Sequence, residues 1–319
     1  MGKYLIKRIL AMIPMLLLIS LLVFIALEFT PGDPLTSILS PEQASKLTEE
    51  QIEAFREANG LNGSFPERYI RWLGRTLTGN FGNSLVSGAP VTKLLSARVP
   101  ATLEIVGIGL IVSTLLGVVL GVVAAIKQNS VLDHLLTGVG VLGISVPEFF
   151  IGVIMIQFFA VKLGWFPTGG RTVEAAKTTW EAVRPYVMPT AVIGFGFMAN
   201  LIRYTRGSML DVLNKDYIKT ALAKGVPAGR VYFKHALRNA IQPILNLLCF
   251  RLPMLIGGAV VVEQVFIWPG MGQTILDAIA TKDYPVILTC TMLTAVMVLF
   301  ASFLVDIITA VLDPRIRVR

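Results

Sequence analysis

The feature that most constrains this chain is a set of apolar runs, each long enough to cross a lipid bilayer. A spanning helix needs roughly 17 to 25 mostly apolar residues. Runs of that length lie at about residues 8–30, 98–126, 132–162, 186–204, 240–263 and 285–312. The stretch from Ile105 to Ile126 holds no charge at all. Only 15% of the 319 residues are charged, against about 25% in an ordinary soluble domain. That is too little charge for a water-exposed surface of this size. The predicted fold class is an all-α membrane protein of about six transmembrane helices, with 1–319 forming one transmembrane domain.

Orientation follows from Lys and Arg in the short loops, which favour the cytoplasmic side. Lys3, Lys7 and Arg8 precede the first run. Eight Lys and Arg residues lie between Arg203 and Arg238, against Asp211 and Asp216, and Arg315, Arg317 and Arg319 close the chain. An even number of spans puts all three basic segments on one side, so both termini are expected in the cytoplasm. The net charge of +8 is explained the same way and not by nucleic acid, since no basic run interleaved with aromatics occurs. The first run is longer than the apolar core of a secretory signal, roughly 7 to 15 residues. It leads into Phe29-Thr30-Pro31-Gly32 with no Ala-x-Ala, and reads as an uncleaved first helix.

Residues 31–97 form a long polar segment, expected to be a small folded extracytoplasmic cap. Thr48 and Gln51 have the spacing of a capping box ahead of a helix to about Asn59, ended by Gly60. Tyr69, Trp72, Leu73 and Leu77 have helical spacing. Gly117-x-x-x-Gly121, and Gly138, Gly140 and Gly143, are read as close helix packing in lipid. Cys249 and Cys290 lie in apolar runs and read as packing residues, and His134 and His235 have no metal-ligand spacing.

The chain carries no catalytic motif. A Gly-x-x-x-x-Gly-Lys-Ser/Thr phosphate loop, a nucleophile elbow, a His-Glu-x-x-His helix and a Cys-x-x-Cys pair are all missing from the sequence. No catalytic residue, metal ligand or bound cofactor is therefore expected. Uphill transport would draw its energy from an ion gradient or from another subunit. Glu148 and Arg251 lie about halfway along the third and fifth runs, as an intramembrane pair or as residues of the path. Glu28, Glu104, Glu263 and Asp306 lie nearer run ends and read as boundary residues. So thin a set makes an ion-coupled secondary transporter the alternative reading.

The most informative stretch is Asp216-Tyr-Ile-Lys-Thr-Ala-Leu-Ala-Lys-Gly225, within the polar segment 208–239. Ile218, Ala221, Leu222 and Gly225 fall on one helical face. Gly225 suits the left-handed position that ends a helix, and Pro227 follows. A short amphipathic helix with small residues on its contact face fits a groove on another protein better than it anchors to lipid.

Here the sequence resembles the inner-membrane permease subunits of binding-protein-dependent ABC importers, of the oligopeptide, dipeptide and nickel branch. That family's cytoplasmic signature is Glu-Ala-Ala, three residues, Gly, and later Ile-x-Leu-Pro. Lys219-Thr220-Ala221 stands in the first place, Gly225 is the glycine, and His235-Ala236-Leu237-Arg238 stands in the last; Ala221, Gly225 and Leu237 match. Strings resembling the branch run the length of the chain: Thr30-Pro-Gly-Asp-Pro34, Ser145-Val-Pro-Glu-Phe149, Leu163-Gly-Trp-Phe-Pro167, Trp268-Pro-Gly-Met-Gly272 and Asp313-Pro-Arg-Ile-Arg317.

The resemblance implies a type I ABC importer transmembrane domain in a bacterial or archaeal plasma membrane, embedded in lipid. It implies pairing with a second homologous permease subunit and two ATPase subunits that carry ATP and Mg. A solute-binding protein would deliver cargo outside. Lys219, Thr220, Ala221 and Gly225 become the expected ATPase-coupling residues. Pro34, Trp268, Gly270 and Gly272 become expected contacts for the binding protein. Di- or oligopeptides are the branch's commonest cargo; relatives also carry nickel chelates, glutathione and oligosaccharides.

Overall fold

A computed structural model describes residues 2–30, 48–58, 62–171 and 177–312; for 2–5, 55, 242–243, 246, 249–258 and 309–312 it describes the backbone alone. The described residues are dominated by helices: α1 (Gly2–Glu28), α2 (Glu49–Ala58), α3 (Phe65–Leu77), α4 (Val91–Ile126), α5 (Val131–Ser145) and α6 (Glu148–Met155). After α6 a π-helical stretch runs to Lys162. Then come α7 (Thr179–Leu213), α8 (Asp216–Ala223), α9 (Leu237–Val265), α10 (Met271–Ala280) and α11 (Tyr284–Leu312). Among the described residues the only β pairing is an isolated bridge between Asn83 and Pro90.

Four helices are long and apolar enough to cross a membrane: α1 from Ile6, α4, α7 and α11 to Ile308. Counting α5 with α6 and its extension as one bent span makes five. The predicted fifth span is helical throughout, as α9, but the side chains of 249–258, Arg251 and Cys249 among them, lie outside the described residues. At 1.5 Å per residue, the 36 residues of α4 and the 35 of α7 reach about 52–54 Å, well beyond a hydrocarbon core of roughly 30 Å. The run 186–204 is therefore only the apolar middle of α7. Arg203 and Arg206, expected in a loop, lie on the helix.

The third run is broken where its charge sits. α5 and α6 meet at a 106° bend. Pro147 lacks an N–H and disfavours helical backbone at the residue before it; Val146 is extended at φ −93°, ψ 127°. Glu148 thereby becomes the first residue of α6, where a carboxylate favours the positive end of the helix dipole.

The chain divides into two compact units, residues 102–269 with 298–319, and residues 2–101 with 270–297. In the first, α7 is the axis against which α5, α6 and α9 pack. Glycines allow that closeness. A Cβ at Gly121 would stand 2.5 Å from the Thr205 Cβ, one at Gly117 2.6 Å from the Leu201 Cβ, and one at Gly143 2.5 Å from the Ala199 Cβ. Gly138, read with them as a packing residue, has nothing within 4 Å.

In the second unit Phe24 of α1 meets the rings of Phe65, Tyr69 and Trp72 of α3 at 5.5–5.8 Å. The helical spacing of Tyr69, Trp72, Leu73 and Leu77 is thus realised. So is the capping box of α2: the Thr48 N–H donates to Gln51 Oε1 at 3.0 Å, and the Gln51 N–H donates to Thr48 Oγ1 at 3.3 Å. Gly60 lies outside the described residues. Elsewhere in this unit Asp283 accepts from the Ser84 hydroxyl and the Leu85 N–H. Buried Cys290 packs with Val91, Leu95, Val286 and Ile287.

Candidate coupling site

α8 begins after Lys215, whose backbone is extended. Its apolar stripe decides how it sits. Ile218 is 1% exposed and packs against Val122 and Ala125 of α4, Met209 of α7, and Val231, Ala236 and Ala240. Ala221 packs at the margin of the same cluster. The contact face expected to meet another protein is therefore in part turned inward. The reason is hydrophobic: this stripe is the one that α4, α7 and α9 can cover, and burying an Ile side chain is worth roughly 1.5–3 kcal/mol. What faces out is polar, with Lys219, Thr220, Lys224 and Gly225 exposed beside the half-exposed Tyr217 and Leu222.

The helix end follows its sequence signal. Gly225 has φ +77°. Its N–H donates to Leu222 O at 3.0 Å, and the Val226 N–H donates to Ala221 O at 3.2 Å, satisfying carbonyls a helix end leaves free. Asn239 Nδ2 donates to the Tyr217 hydroxyl at 3.1 Å, tying α8 to α9. The Lys219–Asp216 pair at 3.3 Å is 67% and 98% exposed, and such surface pairs contribute little.

Beside this seat lies an ion pair that sequence reasoning missed. Asp133, 1% exposed, receives Arg206 Nε at 2.6 Å and Nη2 at 2.8 Å. It also accepts the Asn129 N–H at 3.0 Å, within a tight turn where Asn129 has φ +62°. The turn after α4 is thus bound to α7 one turn before Met209, which touches Ile218. The only advance signal was an Asp three residues after Ser130, a helix-capping pattern that says nothing of its partner.

A second polar cluster joins α4, the loop after α6 and α7. Arg171 donates to Glu104 Oε1 at 2.7 Å and to the Tyr186 hydroxyl at 3.2 Å, and that hydroxyl donates to Glu104 Oε2 at 3.0 Å. The Tyr186 hydroxyl and the Glu104 carboxylate hold the Arg171 pKa above its ordinary value. The Tyr186 ring stands edge-on to Trp268 at 4.9 Å.

The expected boundary carboxylates Glu104, Glu28 and Glu263 thus have protein partners. Glu104 belongs to this cluster. Glu28 pairs with Arg68. Glu263 is fully buried and accepts from the Thr102 hydroxyl.

The remaining expected residues are placed as follows. Trp268, Gly270 and Gly272 are all buried; Pro34 lies outside the described residues. Glu148 is exposed, with Oε1 3.5 Å from where a Cβ on Gly196 would stand. Its pairing with Arg251 falls on a side chain outside the described set. Among the described residues no group of three or more His, Cys, Asp or Glu could hold a metal ion.

The fold is that of a type I ABC importer transmembrane domain. It is similar to a chain in the solved inward-facing conformations of the MetNI methionine ABC transporter, with a TM-score of 0.56 at 20% identity, over 70% of this chain and 97% of that one. This chain belongs to the family of binding-protein-dependent transport system inner membrane components: the family profile matches residues 117–318, and that of the family's N-terminal region matches residues 1–106. It is 41% identical to the oligopeptide transport system permease protein AppB of Bacillus subtilis (strain 168), over 99% of both chains. It is 36% identical to the glutathione transport system permease protein GsiC of Escherichia coli (strain K12), again over 99% of both.

Proposed function

We propose that this chain is one of two permease subunits in an ATP-driven importer of di- or oligopeptides. The observation that carries the reading is end-to-end similarity, at 41% identity, to an oligopeptide permease. The peptide permease of Brucella suis, 38% identical over the full length of both chains, supports the same cargo class. Glutathione, the substrate named for GsiC, is itself a small peptide. Nothing in the family or in these relatives favours the ion-coupled carrier.

In this reading the chain crosses a bacterial or archaeal plasma membrane six times with both termini inside. Residues 31–97 lie outside and 208–239 inside. ATP and Mg act on two separate ATPase subunits, and the chain itself is not an enzyme. The outward face of α8 supplies the coupling contact, with Lys219 and Thr220 touching the ATPase, Ala221 seating the helix and Gly225 shaping its end. Glu148 and Arg251 belong to the path or to a pair beside it. Pro34 and residues 268–272 belong to the region that receives the binding protein. Because Trp268, Gly270 and Gly272 are buried, they shape that region more than they touch a partner.

The test is purification of the tagged chain with its neighbours, followed by reconstitution. Two ATPase subunits should copurify, and labelled oligopeptide uptake should need ATP and the binding protein. Lys219→Glu with Thr220→Asp should abolish ATPase retention while the permease pair stays intact. Uptake driven by an ion gradient without ATP, or unchanged ATPase retention in the double variant, would defeat the reading.

A further inference from the structure

In the unit of residues 2–101 and 270–297, two cavities lie end to end with Trp72 and Phe81 as a common wall. The smaller, about 110 Å³, is ringed by Arg68, Arg71 and Arg75 of α3, with Glu28 as its one carboxylate among the described residues. Glu67, outside the lining, also lies near Arg71, so three guanidiniums against two carboxylates leave a net of one positive charge there. Arg68 Nε is buried with no hydrogen-bond partner. The larger cavity, about 720 Å³, is walled by aliphatic side chains such as Leu16, Leu17, Leu95, Val99, Leu293 and Val296, and no charged side chain among the described residues lines it.

The two share an axis with the membrane. Along α1 the basic cavity is lined from Phe24 to Glu28 and the apolar one from Ile13 to Ser20. Along α11 the sequence is Tyr284 to Leu288, then Thr289 to Val296. Glu28 to Ile13 is about 22 Å of helix and Tyr284 to Val296 about 18 Å. One leaflet with its headgroup layer is about 20 Å deep. α3 fits the same boundary: its three arginines lie on one face, and Ile70 and Leu77, 68% and 79% exposed, on the opposite one, as in helices that lie in a membrane interface.

We propose that the two cavities form one binding site for a single phospholipid with an anionic headgroup. The headgroup phosphate lies against Arg68, Arg71 and Arg75, and the acyl chains fill the apolar cavity. A free phosphate would leave the apolar cavity without an occupant of its own chemistry, and a zwitterionic lipid would leave the arginine charge uncompensated. The proposal rests on the membrane placement of these helices and is independent of the cargo and of α8.

The experiment uses the full complex with its partner subunits in lipid nanodiscs of equal phosphatidylglycerol and phosphatidylcholine, with retained lipid read by native mass spectrometry after delipidation. Wild type should retain phosphatidylglycerol in preference. Arg71→Ala with Arg75→Ala should weaken that retention roughly thirtyfold, at the usual contribution of each basic residue near an anionic surface. Ser96→Phe, which places a ring in the apolar cavity and sacrifices only the bond of its hydroxyl to Lys93 O, should weaken retention of both lipids. Copurified ATPase subunits report separately whether the importer is intact. Equal retention of the two lipids by wild type, or a preference surviving both variants, would overturn the proposal. Displacement by inorganic phosphate alone would also overturn it, as would a cross-link from Ser96→Cys to a protein neighbour in place of lipid.

Discussion

Replacement of Gly225 separates two ways in which a glycine can serve at the end of α8, the proposed coupling helix. Its φ of +77° lies in the left-handed region, and a Cβ built on it meets nothing within 4 Å. Within the chain, a substitution therefore costs only what the backbone angle costs. For an ordinary L-residue that is about 1–2 kcal/mol, a roughly five- to thirtyfold loss in the population of the native helix end. Asn tolerates the left-handed region well, and β-branched residues tolerate it worst. ATP-dependent uptake and substrate-stimulated ATPase of the reconstituted complex should fall in the order Gly225, Gly225→Asn, Gly225→Ala, Gly225→Val. If space against a docked ATPase were what mattered, the smaller Ala would outperform Asn. An order set by side-chain size, or a Gly225→Val complex indistinguishable from wild type, refutes the conformational argument.

Other outcomes follow from neighbouring geometry. Asp133→Asn should lower stability by about 3 kcal/mol, since it breaks a buried charged pair; the double variant with Arg206→Gln should be less harmful than the single, as thermal unfolding of the purified complex would show. Gly121→Ala should cost about 1–3 kcal/mol through overpacking against Thr205, whereas Gly138→Ala, with open space around it, should be neutral or slightly stabilising in the same assay. The Glu67 carboxyl is held below its ordinary pKa by the Ser64 N–H and hydroxyl, with Arg71 adding to the effect. Because the folded value is the lower one, this support for the start of α3 is present above the unfolded carboxylate range near pH 4.3 and is lost as pH falls from there through the lower folded value. The protection factor of the Ser64 amide, which donates to Glu67 at 2.8 Å, should fall correspondingly, and Glu67→Ala should remove that pH dependence of protection.

Local signals were legible in the sequence wherever one residue type has one physical use. Thr48 with Gln51 marks a helix start because a hydroxyl and an amide three residues apart satisfy each other's neighbouring N–H groups. Gly225 marks a helix end because the left-handed angle suits glycine. The small-residue spacing of Gly117 and Gly121 marks a close helix contact for a similar reason. Partners were not legible, because they depend on which helices become neighbours. Asp133 and Arg206 are 73 residues apart, and Glu104, Arg171 and Tyr186 come from three separate segments. Span ends were also hidden: hydropathy marks the apolar stretch, but α4 and α7 continue as helices past it.

The proposed coupling helix, α8, shows the limit of periodicity most sharply. An amphipathic pattern identifies two faces and says that the apolar one is covered; it does not say by what. In α8 the apolar face is covered in part by its own chain, through Ile218 against α4, α7 and α9. That arrangement suits a coupling element better than the reverse would. A helix seated by apolar contacts on the same helices that cross the membrane moves when they move. Its outward polar face can then engage and release a partner without exposing a hydrophobic surface in between. The Asp133–Arg206 pair strengthens the same seat by binding the start of α5, and the turn after α4, to α7 beside it. Force applied to α8 would thus be carried into the spans through packed side chains and one buried ion pair, as well as through the short connections on either side.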